Sequence, residues 1–402
     1  MVLPAIIKSG CWFILFACLS YFCAAQEILN PSVKAKLLTR FPFKQYSGGV
    51  MVISAKFDTI NDTLHFILDT GGGGISLDST TCVRYNIKTT PSDTMINGMG
   101  GIRRAAYVFN KSIHFPGLSV DRLNFHISNY SLLTSVYGER IDGIIGYSFF
   151  KRFIVKADFD SCMIEIYANG KIEYARGGII LHPTINKIPV QNLTIKDRKK
   201  VSHDFFFDTG AGLCLLLNSA YATDSNVLLN RRRPVSLQAE GMGGKLQMKL
   251  TVIKFVQIGK YRFNNVPTYI YEDESNVTAY PGGGGLVGND LLRRFNLTIN
   301  YPAGEIYLTP NSHFSDLFDY SYTGLGIYYE AGTIYIEDIM PGSPGEKAGV
   351  KQGDILIGVN NNFSNNIMQY KSILQTEKEK INLVVKRKGE LKLLVIKPGS
   401  IY

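Results

Sequence analysis

The sequence predicts a mainly β protein: two similar lobes followed by a small α+β domain. Three observations lead there. The 402-residue chain is 45% hydrophobic and rich in Tyr, Phe and Gly, with one Trp, a composition suited to packed sheets. Short apolar runs end in glycine turns, and the first two-thirds of the chain shows no long helical period. One ordered set of motifs also occurs twice.

Lys8, the apolar run from Cys11 to Cys23 and the small residues Ala24 and Ala25 read as a secretory signal over residues 1–25. That run is shorter than the ~20 residues a membrane-spanning helix needs, and no later segment could span. The mature chain is therefore expected to be secreted or periplasmic, in the cell envelope, without a membrane span. Seven Asn-x-Ser/Thr sequons would carry glycans only in a eukaryotic secretory route. Once the signal leaves, Cys82, Cys162 and Cys214 remain. Three thiols allow at most one internal disulfide, so this is no disulfide scaffold.

The first lobe is expected over 26–178 and the second over 179–311. Phe66-Ile67-Leu68-Asp69-Thr70-Gly71-Gly72-Gly73 returns as Phe205-Phe206-Phe207-Asp208-Thr209-Gly210-Ala211-Gly212. Gly98-Met99-Gly100-Gly101 begins 29 residues past Asp69, and Gly241-Met242-Gly243-Gly244 begins 33 past Asp208. Gly143-Ile144-Ile145-Gly146 and Gly285-Leu286-Val287-Gly288 follow, each running on into an aromatic or apolar pair and a basic pair. A strand ending in Ile166-Tyr167 or Ile306-Tyr307 closes each copy. A single Asp-Thr-Gly is a weak signal; two with the same ordered sequel are a strong one. Burial opposes the ionisation of a carboxylate that ends an apolar strand, so Asp69 calls for a partner. A structural carboxylate capping local amides is the alternative. A phosphate cradle over Gly71–Gly74 is excluded by the lack of a following Lys-Ser/Thr and of a helix pattern.

This ordered set resembles the pepsin-like and retropepsin-like aspartic proteases, over roughly two-thirds of the chain. The resemblance implies two pseudo-symmetric acid-protease β-barrel lobes of retropepsin type in one chain, with Asp69 and Asp208 meeting at a pseudo-two-fold axis as the catalytic pair. It implies that Thr70 and Thr209 hydrogen-bond across that axis, and that Gly71 and Gly210 let backbone amides approach the carboxylates. It also implies that the two GMGG segments (98–101 and 241–244) are flap tips over an extended or unfolded peptide. Gly72 and Ala211 stand where the pepsin-like pattern carries a hydroxyl that favours the charged carboxylate. The pair is therefore expected to titrate higher here.

Beyond a linker expected over 312–322, the stretch 323–398 resembles a PDZ domain. Gly324-Leu325-Gly326-Ile327 and the run from Ala348-Gly349-Val350 to Asp354-Ile355-Leu356 carry that likeness. It implies that Leu325, Gly326 and Ile327 present amides to a peptide C-terminal carboxylate, with the peptide added as a strand. A domain that only packs on the lobes is the alternative.

Net charge is +10, with basic runs at 196–200 and 231–233. No aromatic platform or nucleic-acid motif accompanies them, so solvated turns are expected and no nucleic-acid partner. No Gly-x-Ser-x-Gly elbow, no His-Glu-x-x-His and no zinc spacing occurs. Neither metal nor organic cofactor is implied. A single chain supplies both aspartates, so an aspartic endopeptidase acting as a monomer is expected. The alternative is a non-catalytic peptide-binding protein that retains the double lobe, which has no need of two converging carboxylates.

Overall fold

A computed structural model describes residues 33–98, 101–241, 244–273, 282–318, 320–375 and 380–401. The expected signal segment and the flap-tip residues Met99, Gly100, Met242 and Gly243 lie outside the described residues. The chain is mainly β, with two barrel-like lobes and a small third sheet.

The two lobes repeat one strand plan. In the first, strand Thr63–Leu68 runs parallel to Gly143–Ile145. That strand pairs antiparallel with Ile75–Asp78, which in turn runs parallel to Leu118–Ser128. In the second, Lys200–Asp208, Gly285–Gly288, Leu215–Asn218 and Tyr261–Tyr271 repeat the same pairings. The apolar runs that end in Asp-Thr-Gly are thus central strands, covered on both sides. Phe66, Leu68, Phe205 and Phe207 are all buried, in one hydrophobic core that spans both lobes. Each lobe also raises a long hairpin with a glycine-paired tip: Thr90–Gly98 with Gly101–Phe115, closing at Gly98 and Gly101, and Val235–Gly241 with Gly244–Ile258, closing at Gly241 and Gly244.

A six-stranded antiparallel sheet joins the lobes, in the order Ile179–Leu181, Glu305–Pro310, Phe295–Asn300, Ile154–Asp158, Met163–Tyr167, Leu37–Gln45. Its middle pair comes from equivalent positions of the two repeats, with Ala157 opposite Leu297 and Val155 opposite Ile299. Every residue of that quartet is buried.

The stretch read as a linker is laid down as a strap. Phe314 packs edge-on against Tyr261 and Phe295 and tilts against Phe263. The buried Arg294 places its guanidinium 4.1 Å over the Phe318 ring and donates to the His313 carbonyl. Strand Ser321–Tyr322 then pairs with Gly399–Ser400, two residues past where the third domain was expected to stop. Five antiparallel strands from Leu325–Glu330 to Glu390–Ile396, with helices Pro344–Lys347 and Ile367–Leu374, enclose a separate core around Ile336, Leu356 and Tyr370. The basic runs meet at a turn, where Arg232 forms a two-pronged pair with the buried Asp197. Cys82, Cys162 and Cys214 are free thiols. Among the described residues no helix is long and apolar enough to cross a membrane.

The third domain's fold rests on Asp354. Its buried carboxylate takes two charged hydrogen bonds from Arg387, both 2.7 Å, and one from the Lys351 amide at 2.9 Å. These bonds close the loop that carries Gly349–Gly353. Asp354→Ala removes these bonds, leaving Arg387 its bond to the Gly349 carbonyl, and is expected to destabilise this domain by about 2 kcal/mol, read by thermal or denaturant unfolding.

Candidate active site

Each Asp-Thr-Gly segment leaves a central strand at the pseudo-two-fold axis, and the threonines lock the two loops together. The Thr70 amide donates to Thr209 Oγ1 at 3.0 Å, and the Thr209 amide donates to Thr70 Oγ1 at 3.0 Å. Each hydroxyl then donates onward into the opposite strand: Thr70 Oγ1 to the Phe207 carbonyl at 2.7 Å, and Thr209 Oγ1 to the Leu68 carbonyl at 3.1 Å. Both side chains are fully buried. All four bonds cross between the lobes, in a setting where a lost partner leaves a buried polar group stranded.

This lattice brings Asp69 and Asp208 together, with their carboxyl groups within hydrogen-bonding reach of each other. Asp69 is buried and Asp208 partly so. The Gly71 amide donates to Asp69 Oδ1 at 2.7 Å. The Gly210 and Ala211 amides both donate to Asp208 Oδ1, at 2.8 and 3.0 Å. Burial first, and then the charge and hydrogen bond of Asp208, push Asp69 well above the usual carboxylate range, against the pull of the Gly71 and Gly72 amides. Burial also raises Asp208, opposed by the hydrogen bond from Asp69 and the amides of Gly210 and Ala211. The titration belongs to the pair, which holds a proton above the usual carboxylate range.

The short helices that follow the backing strands hold the loops by matched bonds: the Tyr147 amide to the Gly72 carbonyl at 2.8 Å, and the Asn289 amide to the Ala211 carbonyl at 2.7 Å. Of the other expected site residues, Gly98, Gly101, Gly241 and Gly244 close the two hairpins. Leu325, Gly326 and Ile327 open the edge strand of the third domain.

Comparison with known families agrees with this layout. Residues 53–149 and 192–291 match the family model for aspartyl proteases, one segment per lobe, each holding an Asp-Thr-Gly loop and its backing strand. Residues 335–387 match a PDZ domain. Both lobes thus match the aspartyl protease family, and the third domain a PDZ domain. Its PDZ match begins after Leu325–Ile327, so those three residues stand on their place in the fold. No curated protein matched the chain.

Two residues beside these loops were missed in the sequence. Tyr301 is buried beneath the loops, its hydroxyl 3.5 Å from the Thr70 carbonyl. Burial, and then the proximity of Asp69 and Asp208, hold its phenol far above the ordinary range, so it stays neutral. Tyr130 bonds through its hydroxyl to Ser76 Oγ at 2.7 Å, and the Ile144 amide donates to that same oxygen. Comparison of the repeats offered one signal: Tyr301 occupies the position held by Phe159 in the first copy.

Gly71 and Gly210 leave no room for a side chain beside the carboxyl groups. A Cβ on Gly71 would sit 2.4 Å from Asp208 Cγ, and one on Gly210 would sit 2.3 Å from Asp69 Cγ. Gly71→Ala and Gly210→Ala are each expected to cost about 1–3 kcal/mol of stability. Gly73→Ala in the same loop, with no atom within 4 Å of its new methyl, leaves the melting temperature unchanged. Thermal unfolding of the three variants checks the contrast.

Proposed function

We propose that this protein is an aspartic endopeptidase that hydrolyses peptide bonds with a water activated between Asp69 and Asp208. The observation that carries the reading is the reciprocal threonine lattice, which holds two carboxyl groups in contact although each opposes the ionisation of the other. One proton shared over the two carboxyls supplies an acid and a base at once. The charged member of the pair takes a proton from the water, and the protonated member donates to the substrate carbonyl oxygen. The water oxygen bonds to the carbonyl carbon, the tetrahedral adduct collapses, and the C–N bond breaks as the leaving amine takes up a proton. No covalent enzyme adduct forms.

Extended or unfolded polypeptides are the substrates, covered by the two hairpins, and the PDZ domain takes peptide C-termini. One chain carries both aspartates, so it works as a monomer. The basic, apolar segment at residues 8–25 supports export to the cell envelope or beyond.

Asp69→Asn and Asp208→Asn are each expected to lower the hydrolysis of an unfolded protein roughly a thousandfold or more. Equal cleavage by wild type and both variants, or none by wild type at any pH, defeats the reading in favour of a non-catalytic peptide binder. Asp69→Asn should also be the more stable protein near neutral pH. The folded chain keeps the Asp69 proton at pH values where the unfolded chain has released it, so wild-type stability falls as pH rises out of the ordinary carboxylate range. The gain from Asn should vanish below that range, in melting curves taken across pH.

Because both carboxyls are raised, the pH–rate profile is expected to peak between mildly acidic and near-neutral pH. Ala211→Ser, by offering a hydroxyl to the Asp208 carboxylate, should move the acid limb lower. A wild-type peak below about pH 3 contradicts the assignment.

A further inference from the structure

The PDZ domain packs against both lobes, through the first-lobe helix Ser131–Tyr137 and through Lys245 of the second. A cavity of about 340 Å³ lies where the three meet, with walls from both lobes and from the PDZ domain. Gly212 and Leu213, in the loop that follows Asp208, form one side; Ala239, from the second hairpin, stands beside them; Leu325, Gly326 and Ile327 form the facing side. The active-site loop and the expected carboxylate loop therefore share one space.

The rest of the PDZ groove is already filled. Edge strand Leu325–Glu330 pairs on one side only, with Thr333–Ile339, and helix Ile367–Leu374 lies beside it. Against both packs the first-lobe helix Ser131–Tyr137. Tyr328 is buried in a cluster with Tyr130, Val136 and Tyr137. Lys371 Nζ donates to the Val136 carbonyl at 2.8 Å, and Ile367 abuts Gly138. A ligand seated at the loop end cannot run on along the strand. It can only turn into the cavity, towards the loop of Asp208. Lys371 brings positive charge to the cavity wall, and Asp338 on the same wall is already held by Lys245, at 2.7 and 2.9 Å, and by the Tyr328 hydroxyl. That balance suits a carboxylate.

We propose that the substrate is the carboxyl-terminal end of a polypeptide, its terminal carboxylate and apolar last side chain lodged at Leu325–Ile327 while the preceding residues cross the cavity to the dyad. The inference rests on the reading of Asp69 and Asp208 as a hydrolytic pair. Water is split across the peptide bond at the dyad, so each turnover leaves a shortened chain with a new carboxylate and frees a short peptide with a new amine. A pseudo-symmetric cleft gives an extended chain little reason to prefer one direction, and a terminal anchor supplies one. The cut is then placed by distance from the terminus.

The test uses the full chain and a quenched fluorescent peptide ending in an apolar residue, made as free acid and as C-terminal amide, with versions lengthened at either end. An unfolded protein serves as reference. Hydrolysis of the acid is expected to exceed that of the amide roughly tenfold or more in kcat/KM, mainly through KM. Lengthening the amino end should leave the cut bond where it is, whereas lengthening the carboxyl end should move it with the new terminus. Lys371→Gln should bring the acid-to-amide ratio towards one. Equal cleavage of acid and amide, or a cut that follows residue type whatever the distance from the terminus, overturns the inference and leaves the dyad standing if the unfolded protein is still cut. Cleavage of neither peptide nor protein overturns both.

Discussion

Everything in the molecule answers to one constraint: two carboxyl groups that repel when charged must be held in contact, out of water. Each lobe alone could bury one aspartate and let it take a proton. Only the crossed threonine bonds, Thr70 to the second lobe and Thr209 to the first, keep the second carboxyl from relaxing away. The surrounding fold is the apparatus for that clamp. Central strands deliver each Asp-Thr-Gly to the axis, the matched amides of Tyr147 and Asn289 brace the loops from behind, and a common core prevents the halves from drifting. The energy stored in the carboxyl contact is recovered as a shared proton.

What was legible in the sequence was what chemistry repeats. Asp69 and Asp208, their threonines and glycines, and the backing strands recur because both loops solve the same packing problem, and a repeated solution can be read without coordinates. What escaped was whatever the second copy does differently. Tyr301 hid because Phe159 fills its place in the first lobe, and one hydroxyl does not alter an apolar pattern. The strap hid because Phe314 and Phe318 follow no period; they match the ring cluster of Phe263 and Phe295, far off in the chain. The sheet between the lobes hid for a related reason. Each lobe read as closed by the strand ending in Ile166-Tyr167 or Ile306-Tyr307, and nothing local says that the strands before them, Ile154–Asp158 and Phe295–Asn300, pair with each other.

The third domain departs from a tethered accessory. Its second core is independent, yet it is joined to the first lobe through the Tyr328 cluster and to the second hairpin through Lys245 and Asp338. The lysine adds its charge over the Tyr328 ring, 4.6 Å from the centroid, so one tyrosine touches both lobes' contributions. The two hairpins are consequently unlike in their surroundings despite their common tips: the second is braced by the PDZ domain just beyond its turn.

The sheet that spans the lobes also dictates an order of events during synthesis. Strand Ile154–Asp158 emerges from the ribosome with its outer partner, Met163–Tyr167, close behind. Its inner partner, Phe295–Asn300, is translated about 140 residues later. Throughout that interval the first lobe carries a bare, apolar sheet edge, the kind of surface that recruits foreign strands. Passage into the folded state therefore depends on a holding factor or on rapid arrival of the second half.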